Sequence, residues 1–293
     1  MTTATLIDGK AVAMQLRERT AERVARIKQR TGVTPTLATV LVGSDPASAK
    51  YVESKGKLCE KLGMRSVRVA MPERTSTEQL LEKITALRDD RQVHGILLQH
   101  PVPRQIDERA AFEAIGPEKD VDGVTFHSFG TMFYGLDGWE SCTPGGIIRL
   151  LDAYEVAIAG KHAVVIGRSA ILGKPMAGLL LNRDATVTIC HSKTVDLPDV
   201  VGEADIVVAA VGKPAFVQGE WIKPGAVVID AGFNPGPRGN IGDVDFDSAS
   251  EKASLITPVP GGVGPMTLAV LMEQTSIAAA KQEGVDEGEG ARD

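Results

Sequence analysis

The stretch His162-Ala163-Val164-Val165-Ile166-Gly167-Arg168-Ser169, continuing to Gly173-Lys174-Pro175, decides the fold. His162 to Ile166 is a short apolar run of strand length. Gly167 ends it, and Pro175 falls near the first turn of a helix predicted over Leu172 to Asn182. A strand feeding a helix through a glycine turn is the repeating unit of an α/β sheet. Such a turn can cradle a phosphate, because the first amides of the helix point outward. Gly173 permits a close backbone approach inside the turn. The spacing falls short of a full GxGxxG fingerprint. A nucleotide site and a plain strand-to-helix turn therefore both remain open on these residues alone.

Outward from this unit the alternation repeats. Thr186 to Cys190, Ile206 to Ala210 and Val227 to Asp230 are predicted strands. Upstream, a helix is predicted from Gly9 to Arg30 and a strand from Thr36 to Val42. Ser44 or Asp45 caps the next helix, with Pro46 in its first turn. That helix carries Tyr51, Lys55 and Cys59 and ends near Gly63. Ser66 to Ala70 is a second strand, and Thr75 to Arg88 a helix with Leu80, Leu81, Ile84 and Leu87 apolar. Gly95 to Gln99 is a third strand, whose unbroken apolar character fits a parallel sheet. A helix from Gly146 to Tyr154 is expected to bridge the two sets.

The fold class is therefore α/β, with two α/β domains. The expected division is 1–143 for the first domain, completed by a C-terminal helix over 266–282 that returns to it, and 144–265 for a Rossmann-type nucleotide domain. The Gly-rich, acidic stretch 283–293 has little to bury and is expected to be a disordered tail.

Ligands in such sheets sit beyond the carboxyl ends of strands. Gln99 and His100 fall at one such end, and the turn Pro117-Glu118-Lys119-Asp120-Val121-Asp122-Gly123 offers further ligands. Tyr51 and Lys55 stand four residues apart, on one face of their helix. A lysine amine titrates at about 10.4 in water, and a partly buried site can bring it into proton chemistry. Gln99 can orient that amine without fixing it as a cation. Asp122 can accept from an amino-pyrimidine edge, or serve as an Asx-turn residue before Gly123. In the nucleotide half, the strand ending at Cys190 runs into His191-Ser192-Lys193, with no carboxylate for a ribose hydroxyl. Arg168 and Ser192 suit a 2′-phosphate instead, which favours NADP over NAD.

The 293 residues allow two ordinary domains, and 43% hydrophobic with 24% charged content is that of a globular protein. A formal charge of -6 argues against general nucleic-acid binding. Cys59, Cys142 and Cys190 lack metal-ligand spacing and fit a reducing compartment, so no metal is expected. No apolar run approaches the roughly 20 residues of a membrane span, and the start of the chain lacks a signal-peptide core. A cytoplasmic location without membrane association is the expectation.

These residues carry a resemblance. The segments YVESK at Tyr51, LLQHPVP around Gln99, EKDVDG at Glu118, CTPGGI at Cys142, VVIGRSAILGKP at Val164, CHSKT at Cys190, ADIVVAAVGKP at Ala204, KPGAVVIDAGFN at Lys223, GDVDF at Gly242 and ITPVPGGVGPMT at Ile256 occur in order. With them the chain resembles the bifunctional methylenetetrahydrofolate dehydrogenase/methenyltetrahydrofolate cyclohydrolase family over nearly its whole length.

The resemblance implies that Lys55 is the catalytic lysine of the cyclohydrolase step, that Tyr51 packs on the folate ring, that Gln99 tunes Lys55 and that Asp122 holds the pterin. It assigns Gly167, Arg168, Ser169, Ser192 and the backbone around Phe233 to NADP, and Pro260, Gly261 and Gly262 to the folate cleft. It implies tetrahydrofolate derivatives as substrates, a place in one-carbon metabolism and purine biosynthesis, and a homodimer. Two stretches depart from the family's usual pattern: Gln99-His100-Pro101 stands for QLP, and Val124-Thr125-Phe126-His127-Ser128-Phe129-Gly130 stands for FHPxNxG. His100 is either a second titrating group near Lys55 or part of the cleft wall. A member with one activity only, a two-domain dehydrogenase of another small acid and a folate-binding protein without catalysis are the rival readings.

Overall fold

The computed structural model describes residues 4–236 and 239–285. From the N-terminus, β1 (Thr5–Leu6) leads into α1 (Gly9–Thr31). There follow β2 (Thr36–Val42), α2 (Pro46–Lys61), β3 (Arg65–Met71), α3 (Thr77–Asp89), β4 (Gly95–Leu98), α4 (Glu108–Glu113) and α5 (Phe126–Phe133). Next come α6 (Cys142–Ala153), β5 (His162–Ile166), α7 (Gly173–Leu181), β6 (Thr186–Cys190), α8 (Leu197–Gly202), β7 (Ile206–Ala209) and β8 (Val227–Asp230). The chain closes with β9 (Asn234–Gly236), β10 (Gly239–Ile241), α9 (Phe246–Ser250), β11 (Leu255–Ile256) and α10 (Val263–Gln282).

The chain divides into two units. Unit 1 holds the chain up to Met14 together with Gly130–Val270; unit 2 holds Gln15–Phe129 and the chain from Leu271. The strand β1 and residues 130–143 thus fall in unit 1, whereas the sequence reading drew its line after 143. The helix expected from Gly146 begins earlier, at Cys142, and lies wholly in unit 1. Pro144 is tolerated there because the first-turn amides of a helix lack partners in any case. Gly146 lets α6 meet α10 closely, since a Cβ would sit 2.9 Å from that of Met266. The Thr143 and Thr267 hydroxyls share a 3.0 Å hydrogen bond beside this contact.

Unit 2 is built on a parallel sheet ordered β3-β2-β4, with Thr36 opposite Arg65 and Leu37 opposite Gly95. Every residue of β2 is buried, which explains its unbroken apolar run. Asp45 caps α2 by accepting from the Ser48 amide at 2.8 Å. Ser76 and Gln79 cap α3 reciprocally. From Leu271 onward α10 belongs to this unit. Gln274 Nε2 donates to the Val121 carbonyl at 2.8 Å and Gln282 Nε2 to the His94 carbonyl at 2.9 Å. The first turns of α10, up to Val270, lie in unit 1. Most of the helix is buried (Met266, Ala269, Met272, Thr275, Ser276, Ala278), so it shows no amphipathic stripe. Beyond it Val285 packs on Ile27, Ala279 and Ala280. The rest of the expected tail, from 286 on, lies outside the described residues.

Unit 1 is built on a parallel sheet ordered β1-β11-β8-β7-β5-β6. Val164, Ile166, Val207, Ala209, Val228 and Ile256 form its core. From β5 the chain steps to β6 at one side, then returns to β7 at the other. That reversal makes the carboxyl ends of β5 and β7 a topological switch point. Among the described residues no helix is long and apolar enough to cross a membrane.

Candidate active site

In unit 2 the structure brings Tyr51 and Gln99 together around the Lys55 amine. The α2 helix carries Tyr51 and Lys55 one turn apart. Lys55 is only 7% exposed, and its Nζ lies 5.2 Å from the centroid of the Tyr51 ring. Gln99 follows the last residue of β4, and its amide is tied to the Val40 carbonyl of β2 at 2.8 Å. Lys55 Nζ donates to Gln99 Oε1 at 2.9 Å. Gln99 Nε2 donates in turn to the His100 carbonyl at 2.8 Å, which turns the Oε1 atom toward the amine. The acceptor is therefore a neutral amide held at both ends. Burial pushes the Tyr51 phenol up, so it stays protonated near neutrality.

His100 contributes its backbone to this arrangement. Its ring is half-buried, edge-on to Phe112 of α4 with centroids 6.3 Å apart. The bonds His100–Pro101 and Val259–Pro260 are cis.

Asp122 sits half-buried on the turn before α5. Its neighbours hold the turn. Lys119 is buried and donates to the carbonyls of Leu87 at 3.3 Å and Asp90 at 2.6 Å, where α3 ends. Asp120, fully buried, accepts from the amides of Val124 at 3.0 Å and Thr125 at 2.8 Å and from Ser128 Oγ at 2.6 Å. Burial pushes the Asp120 carboxyl up against these donors. The departing segment Val124–Phe129 is thus anchored from beneath by Asp120. Arg109 stacks between the rings of Phe112 and Phe126 at 5.2 and 4.9 Å.

In unit 1 the second constellation lies at the switch point. The Gly167 amide donates to the Cys190 carbonyl of β6 at 2.9 Å, and the Ala210 amide to the Ile166 carbonyl at 2.8 Å. A Cβ on Gly167 would fall 2.2 Å from the Ala210 oxygen, and one on Gly173 2.2 Å from the Gly167 oxygen. Glycine is required at both ends of this turn. Arg168 and Ser169 are exposed on it, and Ser169 Oγ accepts from the amides of Leu172 at 3.2 Å and Gly173 at 3.3 Å at the start of α7. Ser192 is exposed on the turn after β6, where the His191 amide donates to Thr194 Oγ1 at 2.9 Å. Phe233 follows β8 and is 57% exposed. A guanidinium and hydroxyls open to solvent at the ends of β5 and β6 are chemically suited to a phosphorylated dinucleotide. Pro260, Gly261 and Gly262 precede α10, and the Gly262 amide donates to the Pro258 carbonyl at 2.8 Å.

Comparison with known proteins matches the chain in two parts. Residues 7–122 match the tetrahydrofolate dehydrogenase/cyclohydrolase catalytic domain, and residues 141–283 match the NAD(P)-binding domain of that enzyme. The chain belongs to the tetrahydrofolate dehydrogenase/cyclohydrolase family. Bifunctional protein FolD 1 of Streptomyces avermitilis is 62% identical over 285 residues, 97% of this chain and 98% of its own. The crystal structure of the bifunctional FolD enzyme of Campylobacter jejuni superposes with a TM-score of 0.93 at 44% identity, over 95% of this chain and 99% of that one. The Trypanosoma brucei FolD structure, which contains NADP cofactor and an inhibitor, gives a TM-score of 0.93 at 39% identity, over 98% of this chain and 100% of that one.

Several residues of this family member escaped the sequence reading. Asp120, Asp230 and Asp243 are buried carboxylates that hold turns at the sheet ends. The available signal was their place: each stands in a quoted segment (EKDVDG, KPGAVVIDAGFN, GDVDF) next to a loop rather than in a helix.

Proposed function

We propose that this protein oxidises 5,10-methylenetetrahydrofolate to 5,10-methenyltetrahydrofolate with NADP and hydrolyses the methenyl form to 10-formyltetrahydrofolate. The observation that carries the reading is the buried Lys55 amine, held 2.9 Å from a neutral Gln99 amide in a chain of this family. NADP, when bound, supplies the hydride acceptor. Arg168, Ser169 and Ser192 bind its phosphates by charge-assisted and hydroxyl hydrogen bonds, and the backbone around Phe233 positions it. The folate nitrogens themselves drive loss of hydride from the methylene carbon, so the protein's part is orientation.

Hydrolysis needs proton management. Water adds to the cationic methenyl carbon, forming the C–O bond, and Lys55 takes the proton that this water releases and passes it to solvent. Lys55 then carries the remaining hydroxyl proton to N5 as the C–N5 bond breaks, leaving the formyl group on N10. Gln99 orients Lys55 throughout. Tyr51 packs against the folate ring and Asp122 accepts from the pterin's amino edge. Pro260, Gly261 and Gly262 are assigned to the folate by their segment. The product places the enzyme in one-carbon metabolism, as a source of formyl groups for purine biosynthesis. A cytoplasmic homodimer is part of the same proposal.

The test is spectrophotometric. Purified protein is given 5,10-methylenetetrahydrofolate with NADP or NAD, and the decay of added methenyltetrahydrofolate is followed separately. NADP reduction together with enzyme-dependent decay is expected. Loss of one activity would reduce the protein to a single-function member, and loss of both would overturn the reading.

A further inference from the structure

Two buried carboxylates of unit 1 have no place in the chemistry above. Asp243 is fully buried, at 0% exposure. Its Oδ2 accepts from the amides of Val211 at 2.5 Å and Gly212 at 2.8 Å. Its Oδ1 accepts from the Lys213 amide at 3.0 Å and from Asn234 Nδ2 at 2.8 Å. Those consecutive amides form the turn after β7, at the switch point. Successive N–H groups of this kind make a concavity for anions, and here the protein fills it from within.

Asp230, the last residue of β8, treats the next turn in the same way. Its Oδ1 accepts from the amides of Gly232 and Asp243, both at 2.8 Å, and its Oδ2 from the Val244 amide at 2.9 Å. The Asp230 amide donates to Thr257 Oγ1 at 2.7 Å. The carboxylates therefore act in series: Asp230 holds the backbone of Asp243, and Asp243 holds the turn after β7. Glycines make this possible, since a Cβ on Gly242 would fall 1.8 Å from Asp230 Oδ2 and one on Gly232 2.4 Å from Asp243 Cγ. Phe233 stands between the two clamps. The Gly232 amide is held by Asp230, the Asn234 side chain by Asp243, and the Phe233 ring remains largely in solvent. Burial pushes the Asp230 carboxyl up to about 6, with a smaller upward push from the neighbouring Asp243 carboxylate.

We propose that Asp230 and Asp243 are positioning residues for the nucleotide, presetting the turns after β7 and β8 on which NADP is held. This inference rests on the functional reading given above. A turn fixed before binding has little freedom left to lose, so its release would appear as weaker nucleotide affinity rather than as slower chemistry.

The test measures NADPH affinity by fluorescence titration, with KM for NADP, kcat, thermal melting and nucleotide-free hydrolysis of added methenyltetrahydrofolate. Asp243→Asn is expected to raise the NADPH Kd about tenfold, in keeping with the loss of charge-assisted hydrogen bonds. KM for NADP rises with it, while kcat and hydrolysis fall by smaller factors. Asn234→Ala keeps the charge, removes one donor, and is expected to raise the Kd about threefold; it decides the matter if Asp243→Asn does not fold. Affinity within about twofold of the parent in each folded variant would overturn the inference alone. So would an equal loss of affinity and of hydrolysis, the mark of a general structural defect. A parent protein that fails to bind NADPH would overturn both the inference and the reading beneath it.

Discussion

The carboxyl ends of the two sheets are built in opposite ways. In unit 2 the group proposed to react is inside, a buried lysine amine whose acceptor is itself hydrogen-bonded. In unit 1 the side chains assigned to the ligand, Arg168, Ser169, Ser192 and Phe233, are outside, and the buried charges of Asp230 and Asp243 serve the backbone. The contrast follows from the two tasks. Proton transfer requires one group at a fixed place, shielded from water. Holding a large charged ligand requires many exposed donors on a backbone that does not move. The same α/β plan meets both needs by changing what it buries at the strand ends.

The sharpest way to break this comparison is to remove the inside group. Lys55→Met is expected to lower methenyl hydrolysis by about 10²–10⁴-fold, the range for a general acid–base group, with a far smaller change in NADPH affinity. Full hydrolysis in that variant would end the assignment of Lys55. The next largest effect is expected at the nucleotide turn, where the backbone is the functional part. A Cβ at Gly173 would meet the Gly167 oxygen at 2.2 Å. Gly173→Ala should therefore cost about 1–3 kcal/mol of stability as the turn opens and weaken NADPH binding more than hydrolysis. A melting curve and a titration that both match the parent would show that the close approach is dispensable.

The contrast also explains what could be read in advance. The HAVVIGRS turn, the buried LATVLV strand and the Tyr51/Lys55 spacing are local patterns, and each stands in the structure where its periodicity put it. Gln99 was found because it ends an apolar strand. Asp230 and Asp243 were missed because their partners lie far along the chain, Asp230 accepting from amides 13 and 14 residues on, and Asp120 because its polar turn reads as a set of ligands rather than as a clamp. Asp243 holds amides 30 to 32 residues away, and an Asp beside a Gly reads equally well as an ordinary turn residue. The two-residue strands β1 and β11 are too short to show a period. The α5 helix was passed over because its start is secured by Asp120 from the preceding turn and by Glu113 of α4, which accepts from the Phe126 amide at 2.9 Å.

A smaller effect concerns the choice of nucleotide. Arg168 is exposed on the turn. Arg168→Ala is expected to raise KM for NADP about tenfold, the worth of one charge-assisted contact, with KM for NAD nearly constant. An equal rise for both nucleotides would mean that Arg168 supports the turn rather than reads the 2′-phosphate.

The faintest signal lies in the pH dependence of local stability, where the two units should diverge. In unit 2, His94 is buried before β4, its Nδ1 accepting from the Thr36 amide at 3.1 Å and its Nε2 standing 3.6 Å from Glu283. Burial holds its pKa below the ordinary value of 6.5, outweighing the pull of Glu283. The unfolded chain therefore binds the proton more readily, and unit 2 should lose stability as pH falls below about 6.5. In unit 1, burial raises Asp230 from 3.8 to about 6. There the folded chain binds the proton more readily, so the same acidification relieves a buried charge and adds stability as pH falls through about 6 toward 4. Amide hydrogen exchange, corrected for intrinsic rates and compared at neutral and mildly acid pH, should show β2 and β4 losing protection while β8 keeps or gains it. His94→Gln should remove the acid loss in unit 2 and leave β8 unchanged. A uniform loss of protection in both units would mean that neither buried group governs the acid response and that general charge repulsion does.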